Sequence, residues 1–543
     1  MPTVTFPLDY LSRLTSMPPQ QLEQQAFDYG LDATLRDTML DVEVTAERPD
    51  LLAAEGFTRA LNIYNDQPRE VPTKLPDSNR GVKVSPSVLP LRPYIAALTV
   101  ENVSLGAAGL ESLIQFQEKV TQTFGRQRKK IAIGIYDLDQ IQGDIHYTTA
   151  DKATLSFVPL QADTALNARQ ILTEHPNGLL YGNTLPPSDQ VPVLKDSTEK
   201  VLSLPPIINA AEVGAVKADT QNLFIDVTGI SQKTVLEMIN ILAHNFLDAG
   251  SPVKTVKIHH PEGSYTTPSL DRQPVTFSAK RLNEVLGSAI AKTDLKKYLA
   301  RMDLQVSGTD VVWVPTYRTD IFSDTDIAGD LLVAIGVDNL APQPTAIKFH
   351  MGTPAPLKDA VLKISDLAQR MELMEVKSFT LTNPDLLTQL GSQFVQANNA
   401  KSQTHSATRN TLQAGLLEIL SHNISAPKPI NIYETGEVIT LADSEIAETL
   451  YWGFASLDAR ASFATAKAYV QTLLKALKIA YQLEICADSR YISGRAATVI
   501  VRGAAAGHFG EIHPRLLSHF SFPEPVCSGE LDIPSILTGQ TPS

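Results

Sequence analysis

Between residues 93 and 265, strand-like and helix-like stretches follow one another without a regular β–α alternation, and this irregular order most constrains the fold. A doubly wound parallel sheet needs a helix at each crossover, so the pattern points instead to an α+β arrangement. The strand candidates are "IAIGIYDLD", "TLSFVPL" and "NLFIDVTGI", with helices expected near 163–173 and 231–249. The second helix is the clearest. Ser231 stands at the cap, Val235, Met238, Ile239, Leu242 and Phe246 recur at helical spacing, and Gly250 supplies the stop.

The 543-residue length suggests about three to four domains. A first region, 1–84, holds helical stretches around 19–29 and 50–64, with Asp50 placed as the N-cap of "LLAAEGFTRALNIY". Residues 65–92 are rich in proline and polar side chains and read as a linker. A second region spans 93–265 and a third 270–342. The third reads as strand "PVTFS", helices 279–286 and 292–301, strand "DVVWVP" and helix 324–335. A fourth, 355–543, opens with a helix at 356–374 and carries Leu412, Leu416, Ile419 and Leu420 along one helix face. Strands follow at "PINIYETGEV" and "TLYWGFAS", then a helix at 463–479, then "AATVIVRG", "GHFGEIHP" and "CSGELDI". That is the pattern of an antiparallel sheet flanked by helices. The fold class expected is therefore α+β multidomain: a mixed α/β second region, a small helix-rich third and a sheet-with-helices fourth.

Charge narrows the function classes. The net charge of −13 excludes a surface that grips nucleic acid over most of its area, because phosphate binding needs clustered cations. The dense basic run is Arg126, Arg128, Lys129 and Lys130, between an apparent helix and a strand, where a solvated loop is the expected reading. No apolar run approaches the ~20 residues needed to cross a bilayer. "MPTVTFPLDY" lacks the basic-then-apolar order of a secretory signal. Cys486 and Cys527 are too far apart in sequence to suggest a thiolate metal site, so a cytoplasmic protein is expected.

The stretch "VPTYRTDIFSDTDIAGD" places Asp320, Asp324, Asp326 and Asp330 within eleven residues. Ser323 as N-cap and acids in a first helical turn explain Asp324 and Asp326 without a metal. Asp320 before the helix, facing Asp326 and Asp330 on one helix face, is also a hard-oxygen arrangement suited to Mg²⁺. An EF-hand fails: Ala328 and Ile335 occupy positions where ligands belong. The spacing leaves the cap and the metal readings both open.

With its neighbours, "VPTYRTDIFSDTDIAGDLLVAIGVDNLAPQ" resembles a signature of the phenylalanine–tRNA ligase beta subunit family, in its archaeal and eukaryotic form. "VEVTAERPDLLAAEGFTRAL", "VLSLPPIINAAEVGAVKADTQNLFIDVTGI" and "GRAATVIVRGAAAGHFGEIHPRLLSHF" match further stretches of that family in order. The resemblance implies an N-terminal domain, a domain that edits mischarged tyrosyl-tRNA, a small helix-rich domain like DNA-binding modules, and a class II synthetase-like domain without catalysis. It also implies an α₂β₂ heterotetramer with tRNA-Phe as partner. The alpha subunit would bind ATP and phenylalanine and perform the chemistry. In agreement, the fourth region lacks G-x-G-x-G-x-x-R, the arginine-bearing strand that a class II site requires.

Residue by residue, the resemblance implies a Mg²⁺ set at Asp320, Asp326 and Asp330, with Gly329 where the family has Glu. It places Ser203 and Asn209 of "SLPPIIN" in an editing pocket. Ala215 stands where a basic residue is usual, with Lys217 the nearest cation; Glu47 and Ala414 depart from the family's asparagine and proline. A divergent paralogue acting as a scaffold, or a stand-alone hydrolase of mischarged tRNA, are the alternatives these departures leave open. No nucleophile elbow, H-E-x-x-H or P-loop is present. The His259–His260 pair reads as surface histidines, and His513 as a helix-start or packing residue.

Overall fold

The computed structural model describes residues 2–537 apart from 69, 73, 341–348, 350, 392 and 443–444. It divides into two compact units, 1–345 and 346–543. Among the described residues no helix is long and apolar enough to cross a membrane.

In the first unit, Met39–Glu43 lies between Thr3–Pro7 and Asp32–Arg36 in an antiparallel three-stranded sheet. Its inward residues Val4, Phe6, Leu40 and Val42 alternate with outward polar ones and are fully or almost fully buried. Helix Ala54–Tyr64 adds Phe57 and Leu61 to the same core. Asp50, expected as this helix's N-cap, is not one. It lies in a preceding 3₁₀ turn, Pro49–Leu52, its carboxylate bonded to Arg48, and the helix begins at Ala54 with Ala53 at the N-cap position and no side-chain cap. The turn comes so close that a Cβ on Gly56 would stand 1.9 Å from the Asp50 carbonyl oxygen.

Among the described residues the largest sheet has ten strands. Its order is Ile208–Asn209, Val201–Leu204, Gln190–Lys195, Ile145–Asp151, Asp77–Val84, Val253–His259, Tyr94–Val100, Leu223–Gly229, Ile131–Asp137, with Tyr265–Thr267 paired to Val253–His259. The segment expected as linker thus contributes a strand to the middle of this sheet. Asp77–Val84 runs parallel to both neighbours, and Val82 and Val84 are buried. Helix Gln232–Asp248 covers one face with the apolar residues read from the sequence, Val235, Met238, Ile239, Leu242 and Phe246. "TLSFVPL" forms only the two-residue strand Ser156–Phe157, and the helix expected near 163–173 starts at Ala168 behind an Asn167–Gln170 capping box. His260 is buried rather than surface-exposed, with Nε2 at 3.2 Å from the Pro93 carbonyl and its ring stacked on Tyr94.

The rest of the first unit is a small sheet, Gln273–Thr276, Val311–Val314 and Gln305–Ser307, with helices Ala279–Leu286, Lys292–Ala300 and Asp324–Ile335.

The second unit carries a seven-stranded sheet among its described residues. Its order is Met374–Glu375, Ile430–Ala442, Glu445–Leu457, Val526–Asp532, Ala504–Ile512, Tyr491–Val501, Gln482–Ile485. It is antiparallel as expected, except that the short edge strand Met374–Glu375 pairs in parallel. Strand alternation feeds two cores. Tyr433, Trp452, Phe454 and Phe509 face helices Pro356–Arg370 and Phe463–Ala476, while Ile432, Ala455 and Val526 face helix Gln413–His422. On the latter face the buried Arg409 and the partly buried Arg490 are each closed by acids. Arg409 bonds Glu434 at 2.6 Å, and Arg490 bonds Asp488 and lies 3.6 Å from Glu530. His513 caps helix Pro514–His519, as read from the sequence.

Hydrogen exchange separates a strand from a linker. The amides of Val82, Lys83 and Val84 are expected to exchange at least ~100-fold more slowly than an unstructured chain, through sub-global opening of the central sheet. Exchange at the unstructured rate would remove this strand from the fold.

Candidate functional site

Ser203 and Asn209 are direct cross-strand partners in the hairpin of Val201–Leu204 and Ile208–Asn209. They open onto a cavity of about 540 Å³ whose wall also includes Gly134, Tyr136, Asp226 and Thr228. The last four come from adjacent strands. Asp226 sits opposite Gly134, and Phe224 opposite Tyr136, in the pairing of Leu223–Gly229 with Ile131–Asp137. Gly134 makes the cavity possible here: a Cβ would stand 2.2 Å from the Tyr136 hydroxyl and 2.4 Å from Asp226 Oδ1.

The Tyr136 hydroxyl has one proton and donates it to Ser203 Oγ at 2.8 Å. Asp226 Oδ1 is buried beside that hydroxyl, its one neighbouring donor, and with the Tyr136 proton directed at Ser203 it has no donor of its own. Burial pushes the Asp226 carboxyl up to about 7, against the opposing pull of Tyr136 and the Arg92 charge. Tyr136 is raised well above the usual phenol range by burial and by the Asp226 charge, so it stays protonated. Asn209 Nδ2 donates to the Ile135 carbonyl at 3.2 Å. Lys217, the nearest cation to the position where the resemblance leads one to expect a base, does not line the cavity; Gly214, Ala215 and Val216 do. Reading by motif missed Asp226. Its signal was an acid inside the apolar run "LFIDV", where an unpaired carboxylate is costly and calls for a reason.

At the cavity mouth the chain makes an unusual loop. Arg126, Gln127 and Arg128 adopt φ of 49°, 54° and 64°, three consecutive non-glycine residues in the left-handed region. Each such residue costs roughly 1–2 kcal/mol. Arg128 lines the cavity together with Tyr181, and its guanidinium carbon lies 4.1 Å from the centre of that ring.

The acidic cluster resolves differently. The Arg318 guanidinium stands between Asp320 and Asp330. Its Nε and Nη2 donate to Asp320 at 2.9 and 2.8 Å, and Nη2 reaches both Asp330 oxygens at 2.9 and 2.8 Å. Burial opposes ionisation of Asp320, but bonding to Arg318 and the charges of Arg318 and Arg48 hold its carboxyl below the usual range. At the deeper Asp330 burial wins and the carboxyl is pushed up. Asp326 faces away. It accepts from the Phe322 and Ser323 amides, both at 2.9 Å, and completes the capping box of helix Asp324–Ile335. Asp324 accepts from the Ser278 amide at 2.7 Å.

Magnesium needs carboxylate oxygens free to complete a near-octahedral shell. Here the guanidinium occupies two of the three carboxylates named from the sequence, and the third caps a helix. Among the described residues no group of three or more His, Cys, Asp or Glu is placed to hold a metal ion. Asp320, Asp326 and Asp330 are therefore not brought together as a ligand set, and they do not fit a bound Mg²⁺.

Comparison with known proteins places this architecture. Three family models match in order along the chain: a B3/4 domain at 96–244, the tRNA synthetase B5 domain at 275–337, and the phenylalanyl tRNA synthetase beta chain CLM domain at 343–533. The chain is thus a multidomain protein of the aminoacyl-tRNA synthetase class. It is 31% identical to the phenylalanine–tRNA ligase beta subunit of Archaeoglobus fulgidus, over 98% of each chain, and 32% identical to that of Pyrococcus abyssi, over 89% of each. It also resembles the crystal structure of an N-terminal fragment of the Pyrococcus horikoshii phenylalanyl-tRNA synthetase beta subunit, with a TM-score of 0.58 and 29% identity, covering 61% of this chain and 99% of that one. The chain belongs to the phenylalanine–tRNA ligase beta subunit family.

Replacing Arg318 by Met leaves Asp320 and Asp330 buried without a counter-charge, and is expected to cost about 3–5 kcal/mol in chemical denaturation. Millimolar Mg²⁺ is expected to leave the wild-type midpoint unchanged; a rise of several degrees would restore the metal site.

Proposed function

We propose that the chain is the non-adenylating subunit of a phenylalanine–tRNA ligase. It would work in the cytoplasm as an α₂β₂ heterotetramer with an alpha subunit that binds ATP and phenylalanine, on tRNA-Phe. On this reading residues 1–84, less strand Asp77–Val84, form the N-terminal domain, and 93–265 together with that strand form the editing domain. Residues 270–342 form a small helical domain, and 355–543 a synthetase-like domain without adenylation. The closed arginines of the second unit support the last assignment, since Arg409 and Arg490 spend their charge on Glu434, Asp488 and Glu530. Magnesium at Asp320, Asp326 and Asp330 is not part of the proposal.

We further propose that the cavity hydrolyses tRNA mischarged with tyrosine. The observation that carries this is the buried Asp226 Oδ1, whose one neighbouring donor, the Tyr136 hydroxyl, is directed at Ser203. A tyrosyl group brings a phenol hydroxyl that can donate to it; a phenylalanyl group brings none and leaves the acceptor orphaned. A site built around a substrate hydroxyl rejects the analogue lacking it by up to ~10⁴–10⁵-fold. Ser203 Oγ accepts from Tyr136, which leaves its own proton free to donate to the ester or to the attacking water.

The pH dependence has a definite sign. The folded Asp226 carboxyl titrates at about 7, above the ~3.9 of an unfolded chain. The folded state therefore binds the proton more tightly, and this group's contribution to stability falls as pH rises between ~4 and ~7. As the acceptor ionises, preference for the tyrosyl over the phenylalanyl ester is expected to rise from pH 6 to 8. Asp226→Asn is expected to abolish that rise and to slow tyrosyl-tRNA deacylation by ~100-fold or more. Deacylation assays on the complex check this, and unchanged discrimination in the variant would move recognition elsewhere. The assembly itself is tested by co-expression with an alpha subunit and mass measurement. A folded chain that joins no alpha subunit would overturn the first proposal.

A further inference from the structure

Arg128 has a setting unlike those of Arg48, Arg318, Arg409 and Arg490. The first three are buried and Arg490 is partly buried, and each pairs with a carboxylate within 2.9 Å. Arg128 is half-buried on the cavity wall, and its hydrogen bonds go to neutral groups. Its Nη1 donates to the carbonyls of Pro206 at 3.2 Å and Ile207 at 2.8 Å, and its plane rests on the Tyr181 ring. Among the described residues no carboxylate forms an ion pair with it, and Glu118 acts on it only through space. Burial lowers its tendency to hold the proton, so the folded protein bears a cost for this charge.

The surrounding chain is arranged to keep it there. The left-handed run Arg126–Gln127–Arg128 is tied back to the preceding helix, with the Arg128 amide on the Thr121 carbonyl at 3.0 Å and the Gln127 amide on Gln122 at 3.1 Å. From beneath, the fully buried Arg92 donates Nη1 to the carbonyls of Arg128 and Lys129 at 3.3 and 3.4 Å, and Nη2 to the Thr228 carbonyl at 2.6 Å. Thr228 itself lines the cavity. A strained loop, clamped by one arginine and presenting another with uncancelled charge, is a preorganised anion contact.

We infer that Arg128 is the phosphate contact of this cavity, and that its ligand is the 5′-phosphate of the terminal nucleotide of an aminoacylated tRNA. This rests on the editing reading above and deepens it. The aminoacyl ester and the 5′-phosphate sit on the same ribose, so a cavity that admits the aminoacyl group brings that phosphate to its mouth. A planar guanidinium there meets a phosphate with two parallel donors. The run Arg126, Arg128, Lys129 and Lys130, read from the sequence as a solvated loop, is then the strip along which the acceptor end arrives.

The test is equilibrium binding to the full chain of a non-hydrolysable analogue, 3′-tyrosylamino-3′-deoxyadenosine, with and without its 5′-phosphate. The phosphate is expected to tighten binding by ~10-fold in the wild type and by less than ~2-fold in Arg128→Gln, with part of the gain returning in Arg128→Lys. Thermal melts verify that the variants fold, and the wild-type comparison stands without them. With tyrosyl-tRNA, Arg128→Gln is expected to raise KM by ~10-fold while kcat stays within ~2-fold. Equal affinity of the two analogues for the wild type overturns the assignment, as does a phosphate advantage that survives in Arg128→Gln. Displacement of the phosphorylated analogue by equimolar inorganic phosphate would assign the site to the free anion and overturn the nucleotide as its ligand. Phosphate-dependent binding without hydrolysis would sink the editing reading and leave Arg128 standing; hydrolysis without phosphate dependence would do the reverse.

Discussion

The first unit depends on a buried lattice of arginines and aspartates. Arg48 is bonded to Asp50 in the turn before helix Ala54–Tyr64, and Arg59 on that helix reaches Asp248 at the end of helix Gln232–Asp248. Arg318 joins Asp320 to Asp330 on helix Asp324–Ile335. Arg301 donates to the carbonyls of Tyr64 and Ala334, tying the same helices from another side. Apolar burial alone would hold these segments together without fixing their register, because it has no direction. Forked guanidinium–carboxylate bonds do have direction, and each buried partner is costly if left alone. The lattice thus sets how the N-terminal sheet, the long helix over the central sheet and the small three-stranded sheet's helices meet.

That constraint also explains why the acidic cluster does not read as a metal centre. A guanidinium and a divalent cation compete for the same carboxylate oxygens. Where the sequence has Gly329 the helix offers no third carboxylate on that face, and Arg318 already supplies the neutralising charge. The cluster is a structural joint in which the cation is covalently part of the chain.

Legibility in the sequence followed the range of the interactions. Helices Ala279–Leu286 and Asp324–Ile335 fall at the residues expected, because Ser278, Ser323 and Gly287 mark their ends locally. Strand Asp77–Val84 was hidden because Ser78, Asn79, Arg80 and Lys83 make it look like a loop. Only Val82, Val84 and pairing to strands distant in sequence make it a strand. Ser203 and Asn209 could be named from a motif, but their direct pairing, and the presence of Asp226 and Tyr136 behind them, needed four strands in register. Arg318 was in plain view beside the acids. Its role was invisible because it acts across a turn, on residues both two and twelve positions away.

Arginines closed by acids act as scaffold, as do Arg92 and Arg301, which tie elements through carbonyls; an uncancelled charge set on a cavity wall is a different case. Arg48, Arg318, Arg409 and Arg490 are closed by acids and hold elements in place. Asp226 and Arg128 are left open on the walls of one cavity, the first an acceptor whose neighbouring donor Tyr136 is directed at Ser203, the second a cation without an ion pair among the described residues. They do not neutralise each other as an ion pair, so each retains an unmet demand. A buried unmet demand persists only where some gain elsewhere offsets its cost. A ligand that carries a donor at one end and an anion at the other meets both demands in one orientation and neither in the reverse. On the editing proposal, the polarity of the cavity would therefore fix which way round a tyrosyl-nucleotide enters it.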